Sequence, residues 1–326
     1  MPGEWPIEFS DVLEARRRIG SHLPPTAMRN YAALDRALGN GIRVWVKHEN
    51  HNPTNSFKAR NAMSVLTTLS AEEKKRGAIG ATRGNYGQGL AWAGAILGIP
   101  VTVCVPLGNN PEKNEAMRGF GAELVEEGHD YDESVEVAER LVRERGLRLV
   151  HSTNEPQVIA GAATLSLEIL EERPEIEAIV VAVGGGSQAV GAMTVVREIA
   201  PAVRVYGVQA ERAAAIHDSW HAGRVITLPS AHTFADGLAT RQPYDLTFPA
   251  LRRGLSGFVT ASESEIASAV RLLLSTTHNL AEGAGAAGLA GLRRLREELF
   301  GRPVAVILSG GNIDAATLGK VVAREL

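Results

Sequence analysis

The chain has 326 residues, of which 44% are hydrophobic and 22% charged, ordinary values for a globular protein large enough for two lobes around a large core. Its formal net charge of −3 gives no reason to expect a nucleic-acid or anionic-membrane partner, and no apolar run is long enough to span a bilayer. The single cysteine, Cys104 in the apolar run Val101-Thr102-Val103-Cys104-Val105, excludes an internal disulfide and reads as a buried structural thiol. That fits a reducing compartment, and with no signal-peptide pattern at the start a cytoplasmic location is expected.

In chain order, Ser10 is placed to cap a helix through residue 18, ended by the Leu23-Pro24-Pro25-Thr26 turn. Residues 31–38 read as a helix stopped by Gly39-Asn40-Gly41, and 42–47 alternate as a strand. Lys58 then opens a helix, and residues 63–76 read as helical. Strands at 77–82, 101–105, 122–125 and 147–151 alternate with helices, one begun at Pro111 and an amphipathic one over 131–145. A helix over 158–172, a buried strand at 178–183, a helix through 199 and a strand at 203–208 follow. Residues 221–258 read as irregular, apart from a tight turn at Ala235-Asp236-Gly237-Leu238. Ser262 with Glu265 forms a capping box for a helix through 277. Residues 281–299 read as a small-residue-rich helix, and 304–308 as the last buried strand. Strands alternating with helices, without hairpin signals, predict an α/β fold of open, mostly parallel sheets covered on both faces. No linker separates two lobes, which points to one lobe inserted in the other.

Several stretches carry chemistry. Lys58 follows the loop Asn52-Pro53-Thr54-Asn55-Ser56-Phe57 and lies near the positive end of its helix, which disfavours the ammonium form; on this stretch alone a solvated surface lysine serves as well. Gly184-Gly185-Gly186-Ser187 joins a buried strand to a helix, so several N–H groups can face one anion. The same residues fit the dinucleotide pattern Gly184-x-Gly186-x-x-Ala189, with Glu211 in reach of a ribose, so the motif leaves nucleotide and other phosphate ligands open. Thr82-Arg83-Gly84-Asn85-Tyr86 and Ser309-Gly310-Gly311-Asn312 each follow a strand, where open α/β sheets bind ligands, although plain turns use the same residues. Glu282 precedes a helix, a place also suited to an ordinary N-terminal acid. The nine histidines show no metal-ligand spacing, and no nucleophile elbow is present.

Ser56-Phe57-Lys58-Ala59-Arg60-Asn61-Ala62 resembles the Schiff-base lysine motif of the fold type II, tryptophan-synthase-β-like pyridoxal-phosphate enzymes. Within them the threonine/serine dehydratase and serine racemase subgroup is the nearest, and the likeness runs from the Leu23-Pro24-Pro25-Thr26 turn to the last strand. The resemblance implies two open, mostly parallel twisted sheets flanked by helices. It implies a small domain of residues 69–156 inserted into a large cofactor-binding domain of 1–68 and 157–326. It assigns Lys58 as the catalytic Schiff-base lysine and Phe57 as its neighbour beside the cofactor. Gly184, Gly185, Gly186 and Ser187 would hold the cofactor phosphate, Asn85 its ring oxygen and Ser309 its pyridine nitrogen, with Glu282 lining it. Ser56, Thr82, Arg83, Gly84 and Tyr86 are implied at the substrate. Ser187 replaces the usual fourth glycine, and Arg83 and Tyr86 depart from the common pattern. A neutral serine at the pyridine nitrogen makes a weak electron sink, which suits elimination. Gln209, Ala213 and Ala215 stand where racemases of this family place divalent-cation ligands, so no metal is expected.

The expected activity is a pyridoxal 5′-phosphate-dependent ammonia-lyase that turns a β-hydroxy L-amino acid, L-threonine or L-serine, into a 2-oxo acid and ammonia. Alternatives are a serine racemase, a 3-hydroxyaspartate dehydratase, a dinucleotide-binding oxidoreductase and a catalytically silent binding protein. The resemblance further implies a homodimer. With no C-terminal regulatory domain in the sequence, feedback control by isoleucine is not expected.

Overall fold

The computed structural model describes residues 5–129 and 131–326, without the side chain of residue 132. Residues 1–4, read above for a leader, lie outside it. Ten strands are seen among the described residues: β1 (Met28–Asn30), β2 (Arg43–His48), β3 (Ala78–Ala81), β4 (Val101–Val105), β5 (Glu123–Glu126), β6 (Arg148–Leu149), β7 (Ala178–Ala182), β8 (Arg204–Ala210), β9 (Gly257–Ala261) and β10 (Pro303–Leu308). They form a six-stranded sheet in the order β1-β2-β10-β7-β8-β9 and a four-stranded sheet in the order β5-β4-β3-β6. All pairings are parallel except the edge pair β1–β2.

Both sheets are covered on both faces, which is why their strands read as apolar runs. In β7, Ala178 and Val180 belong to one core and Ile179 and Val181 to the core across the sheet. In β4, Val101, Val103 and Val105 face one core and Cys104 the other, so the lone thiol is a packing group. Among the described residues no helix is long and apolar enough to cross a membrane.

The departures from expectation have local causes. The helix expected over 63–76 is two, Lys58–Leu66 and Ala71–Arg76. Thr67 and Thr68 turn their hydroxyls back onto Met63 O and Val65 O, and Ser70 with Glu73 starts the second helix as a capping box. The first helix, Phe9–Ile19, is capped by Glu8 with Asp11, not by Ser10. The stretch expected to be irregular holds the helix Phe248–Gly254 and strand β9, whose register is set by β8. Strand β1 went unread because three residues carry no periodicity; Met28–Asn30 is held extended by pairing with Trp45–Lys47.

Candidate active site

The carboxyl ends of β7 and β10 from one sheet and of β3 from the other, with the start of the helix Lys58–Leu66, open onto one cavity. Its wall contains Phe57, Lys58, Thr82, Arg83, Gly84, Asn85, Tyr86, Gly184, Gly185, Gly186, Ser187, Glu282 and Ser309. Ser56 does not line the cavity; it is fully buried and bridges the strand-end loop at Gly310.

That bridge explains how the lysine is aimed. The loop before Lys58 is zipped to the loop after β10: Phe57 N donates to Ser309 O at 3.0 Å and Gly311 N to Asn55 O at 2.9 Å. Asn312 then ties in the loop after β3, with its Nδ2 2.9 Å from Thr54 O and 2.7 Å from Asn85 Oδ1. Three loops distant in sequence are thus held by main-chain and amide hydrogen bonds, a rigid frame for a reacting group. From behind, the helix Asn85–Leu97 and the helix Pro156–Glu172 press on the lysine helix through glycine. A Cβ at Gly89 would lie 2.7 Å from Lys58 O, and one at Gly161 2.5 Å from Arg60 O.

Lys58 keeps part of its surface open to the cavity, with Nζ 4.8 Å from the centre of the Phe57 ring and 5.8 Å from that of Tyr86. Desolvation by this wall brings its pKa down to about 8, against the opposing pull of Glu282. Glu282 is itself buried, and burial lifts its carboxyl to about 7 although Lys113 and a 2.5 Å hydrogen bond from Asn85 Nδ2 favour the anion. Lys113 forms a 2.6 Å ion pair with Asp236. Burial works against its ammonium, but Glu282 and Asp236 outweigh that and hold its pKa above the ordinary lysine value. Tyr86 is fully packed, and burial together with Glu155 raises its phenol well above 10.

The glycine loop fits a phosphate. A Cβ at Gly185 would lie 2.2 Å from Thr153 Oγ1, and Gly186 has φ +98°, a left-handed conformation that caps the 13-residue helix Ser187–Ile199. The free N–H groups of that helix end and the Ser187 hydroxyl suit an anion. The Gln188 amide nitrogen on the same wall is buried without a hydrogen-bond partner among the described residues, as is Asn61 Oδ1 beside Ser187. Ser309, 5% exposed, has its hydroxyl 3.4 Å from Ala284 O, a long contact that leaves it free for another acceptor. Glu211, the acid considered for a ribose, does not line the cavity.

Lys113, Asp236, Thr153 and Asn312 were not singled out from the sequence. Asn312 ends the quoted Ser-Gly-Gly-Asn run and Asp236 sits in the recognised tight turn, so both had a local signal. Lys113 had none, because only the tertiary fold brings its helix to Asp236.

A lysine of lowered pKa, a glycine turn on a helix end and a serine hydroxyl thus share one cavity at the ends of parallel strands, in an architecture of the fold type II pyridoxal-phosphate enzymes. The family described as pyridoxal-phosphate dependent enzyme matches residues 19–310, and the chain belongs to it. It is 37% identical over 320 residues to the L-threonine ammonia-lyase of Thermotoga maritima, covering 98% of this chain and 79% of that one. It is 41% identical over 321 residues to the L-threonine ammonia-lyase of Geobacter sulfurreducens, with the same coverage of 98% and 79%. Among solved structures, a threonine deaminase from T.th. superposes with a TM-score of 0.89 at 35% identity, covering 94% of this chain and 99% of that one.

Proposed function

We propose that the protein is a pyridoxal-phosphate-dependent ammonia-lyase acting on β-hydroxy L-amino acids, with L-threonine and L-serine as reference substrates. The observation that carries this is Lys58, an amine with its pKa near 8 facing the glycine cradle across one cavity. Gly184, Gly185, Gly186 and Ser187 would hold the cofactor phosphate, Lys58 its aldehyde carbon, Asn85 its ring oxygen and Ser309 its ring nitrogen, with Phe57 and Glu282 as walls. When bound, the cofactor supplies an electron sink that acidifies the amino acid's Cα–H. The chain's own part is to place Lys58 Nζ as the base at that proton and to anchor the substrate carboxylate on the loop 82–86. Ser309 would offer the cofactor's ring nitrogen a neutral hydroxyl in place of a carboxylate, which suits elimination.

The lyase reading is favoured over racemisation by what the loop 82–86 carries. A racemase needs a second base on the opposite face, and at the aligned position stands Arg83, whose guanidinium is a fork of donors with no acceptor. Tyr86, with its phenol raised well above 10, is no ready substitute. The test is ammonia and 2-oxo acid release from a panel of β-hydroxy amino acids, with enantiomers resolved by chiral chromatography. Ammonia with negligible D-serine is expected; D-serine at a rate matching pyruvate would refute it.

The proposal extends to organisation. Residues 69–156 are taken as a smaller lobe inserted between 1–68 and 157–326, supported by the four-stranded sheet drawing all its strands from β3 to β6. The enzyme is taken to act as a homodimer in the cytoplasm, supported by family resemblance and, for the compartment, by the chain's having a single, buried cysteine.

A further inference from the structure

We propose that Arg83 makes this site select β-hydroxy amino acids whose side chain carries a second carboxylate, a class of which 3-hydroxyaspartate is the smallest member. The inference rests on the ammonia-lyase reading and narrows it to a substrate class.

The backbone forces Arg83 outward. Thr82 N continues β3 by donating to Cys104 O at 3.0 Å, and Gly84 N folds back onto Thr82 Oγ1 at 3.1 Å. Thr82 and Gly84 are therefore buried on either side of residue 83, whose side chain is left exposed. A cation there would ordinarily find a surface acid. Arg83 makes no hydrogen bond or ion pair among the described residues. Of the acids on the cavity walls it shares, Asp236 is engaged with Lys113, Glu282 with Asn85, and Asp314 as the cap of Thr317 N at 2.8 Å, while the exposed Asp245 on the wall of the neighbouring cavity makes no ion pair with Arg83. Among the described residues the guanidinium has no ion-pair partner, at the mouth of a site whose substrates each carry at least one carboxylate.

The space fits as well. Arg83, Tyr131, Thr240 and Tyr244 line both the cavity of Lys58 and a neighbouring one of about 1000 Å³, so the two are continuous at this rim. A threonine methyl group needs neither that room nor a charge. One guanidinium, with its planar fork of donors, matches a monoanionic carboxylate; a phosphate brings nearly two charges.

The experiment uses the holoenzyme and measures ammonia release from L-threo-3-hydroxyaspartate, L-threonine and O-phospho-L-serine by the wild type, Arg83→Ala and Arg83→Lys. Arg83→Ala removes a charge-assisted hydrogen bond to the second carboxylate. It lowers the ratio of kcat/KM for hydroxyaspartate over threonine by about 10- to 100-fold, chiefly through KM. Arg83→Lys restores part of the ratio, and added salt weakens the preference. In parallel, calorimetry compares L-aspartate with L-alanine, neither of which has a β-hydroxyl to lose; aspartate affinity falls more in Arg83→Ala. Equal losses on both substrates and both ligands overturn the proposal and assign Arg83 to the common α-carboxylate or to loop shape. Preference for O-phospho-L-serine over hydroxyaspartate overturns it in favour of a phosphate. No ammonia from any β-hydroxy amino acid by a cofactor-loaded enzyme removes the lyase reading instead, and the aspartate–alanine comparison then decides Arg83 alone.

Discussion

Lys58 and Arg60 stand two residues apart on one helix, and the protein treats their charges in opposite ways. Arg60 is 1% exposed and doubly paired: Nε and Nη2 reach Glu49 at 2.8 and 3.0 Å, and Nη1 and Nη2 reach Glu168 at 2.6 and 2.8 Å. Lys47 adds a 2.6 Å contact to Glu168, so two cations meet two carboxylates and the buried cluster is neutral. Burial alone would raise Glu49, but Arg60 outweighs it and holds the carboxyl below its ordinary value. Among the described residues Lys58 forms no ion pair with a carboxylate, and it and Glu282 settle near 8 and 7. Complete pairing pushes groups away from neutrality and makes them structural. Incomplete pairing under desolvation draws them toward neutrality and makes them able to exchange protons.

The comparison breaks most sharply at Lys58. Lys58→Ala is expected to lower ammonia release by at least about 10³-fold while leaving the fold, followed by circular dichroism, intact. Borohydride reduction of the wild type followed by peptide mapping should place the cofactor on Lys58; a label on Lys113 would reverse their assignment.

Arg60→Leu is expected to act on stability instead. It strands two buried carboxylates against one ammonium, which costs about 3–5 kcal/mol in denaturant unfolding. Arg16→Ala removes a half-exposed pair with Glu171 at 2.6 Å and should change stability by less than about 1 kcal/mol. Similar losses in the two would show that burial of the pairs does not set their worth. The Glu49 contribution has a defined sign: its folded pKa is depressed, so it is present above the ordinary carboxylate value and lost as pH falls through the folded one.

Gly185→Asp tests the cradle. The new carboxylate would face both Thr153 and the phosphate, and pyridoxal-phosphate affinity measured by spectroscopic titration should fall about 100-fold. Unchanged affinity would remove the loop from the site.

The smallest effect concerns pH. With a pKa near 8, the neutral amine of Lys58 grows about tenfold per pH unit below that value and levels above it, and cofactor loading onto the apoprotein should follow the same curve. Because Glu282 raises the Lys58 pKa, Glu282→Gln should move the curve to lower pH. A curve that climbs on toward the ordinary lysine value would mean that Lys58 is not desolvated.

What the sequence determined by itself was whatever is encoded over a few neighbouring residues. The apolar runs of β4, β7 and β10 announce strands buried on both faces, and Ser262 with Glu265 announces a helix start. Lys58, Gly184-Gly185-Gly186-Ser187, Asn85, Glu282 and Ser309 stood out as strand-end or helix-start residues and meet in one cavity. Only the tertiary structure decided the rest, because it depends on partners far along the chain. Ser56 looked like a substrate contact and proves to be part of the zipper to Gly310, 254 positions away (310 − 56). The Lys113–Asp236 pair, the Asn312 amide that joins two loops and the four-charge cluster at Arg60 leave no local pattern, since each exists only when separate elements pack. Arg83 shows both sides: its residue type was plain in the sequence, but that it stands exposed at the mouth of the site follows from how Thr82 and Gly84 are buried beside it.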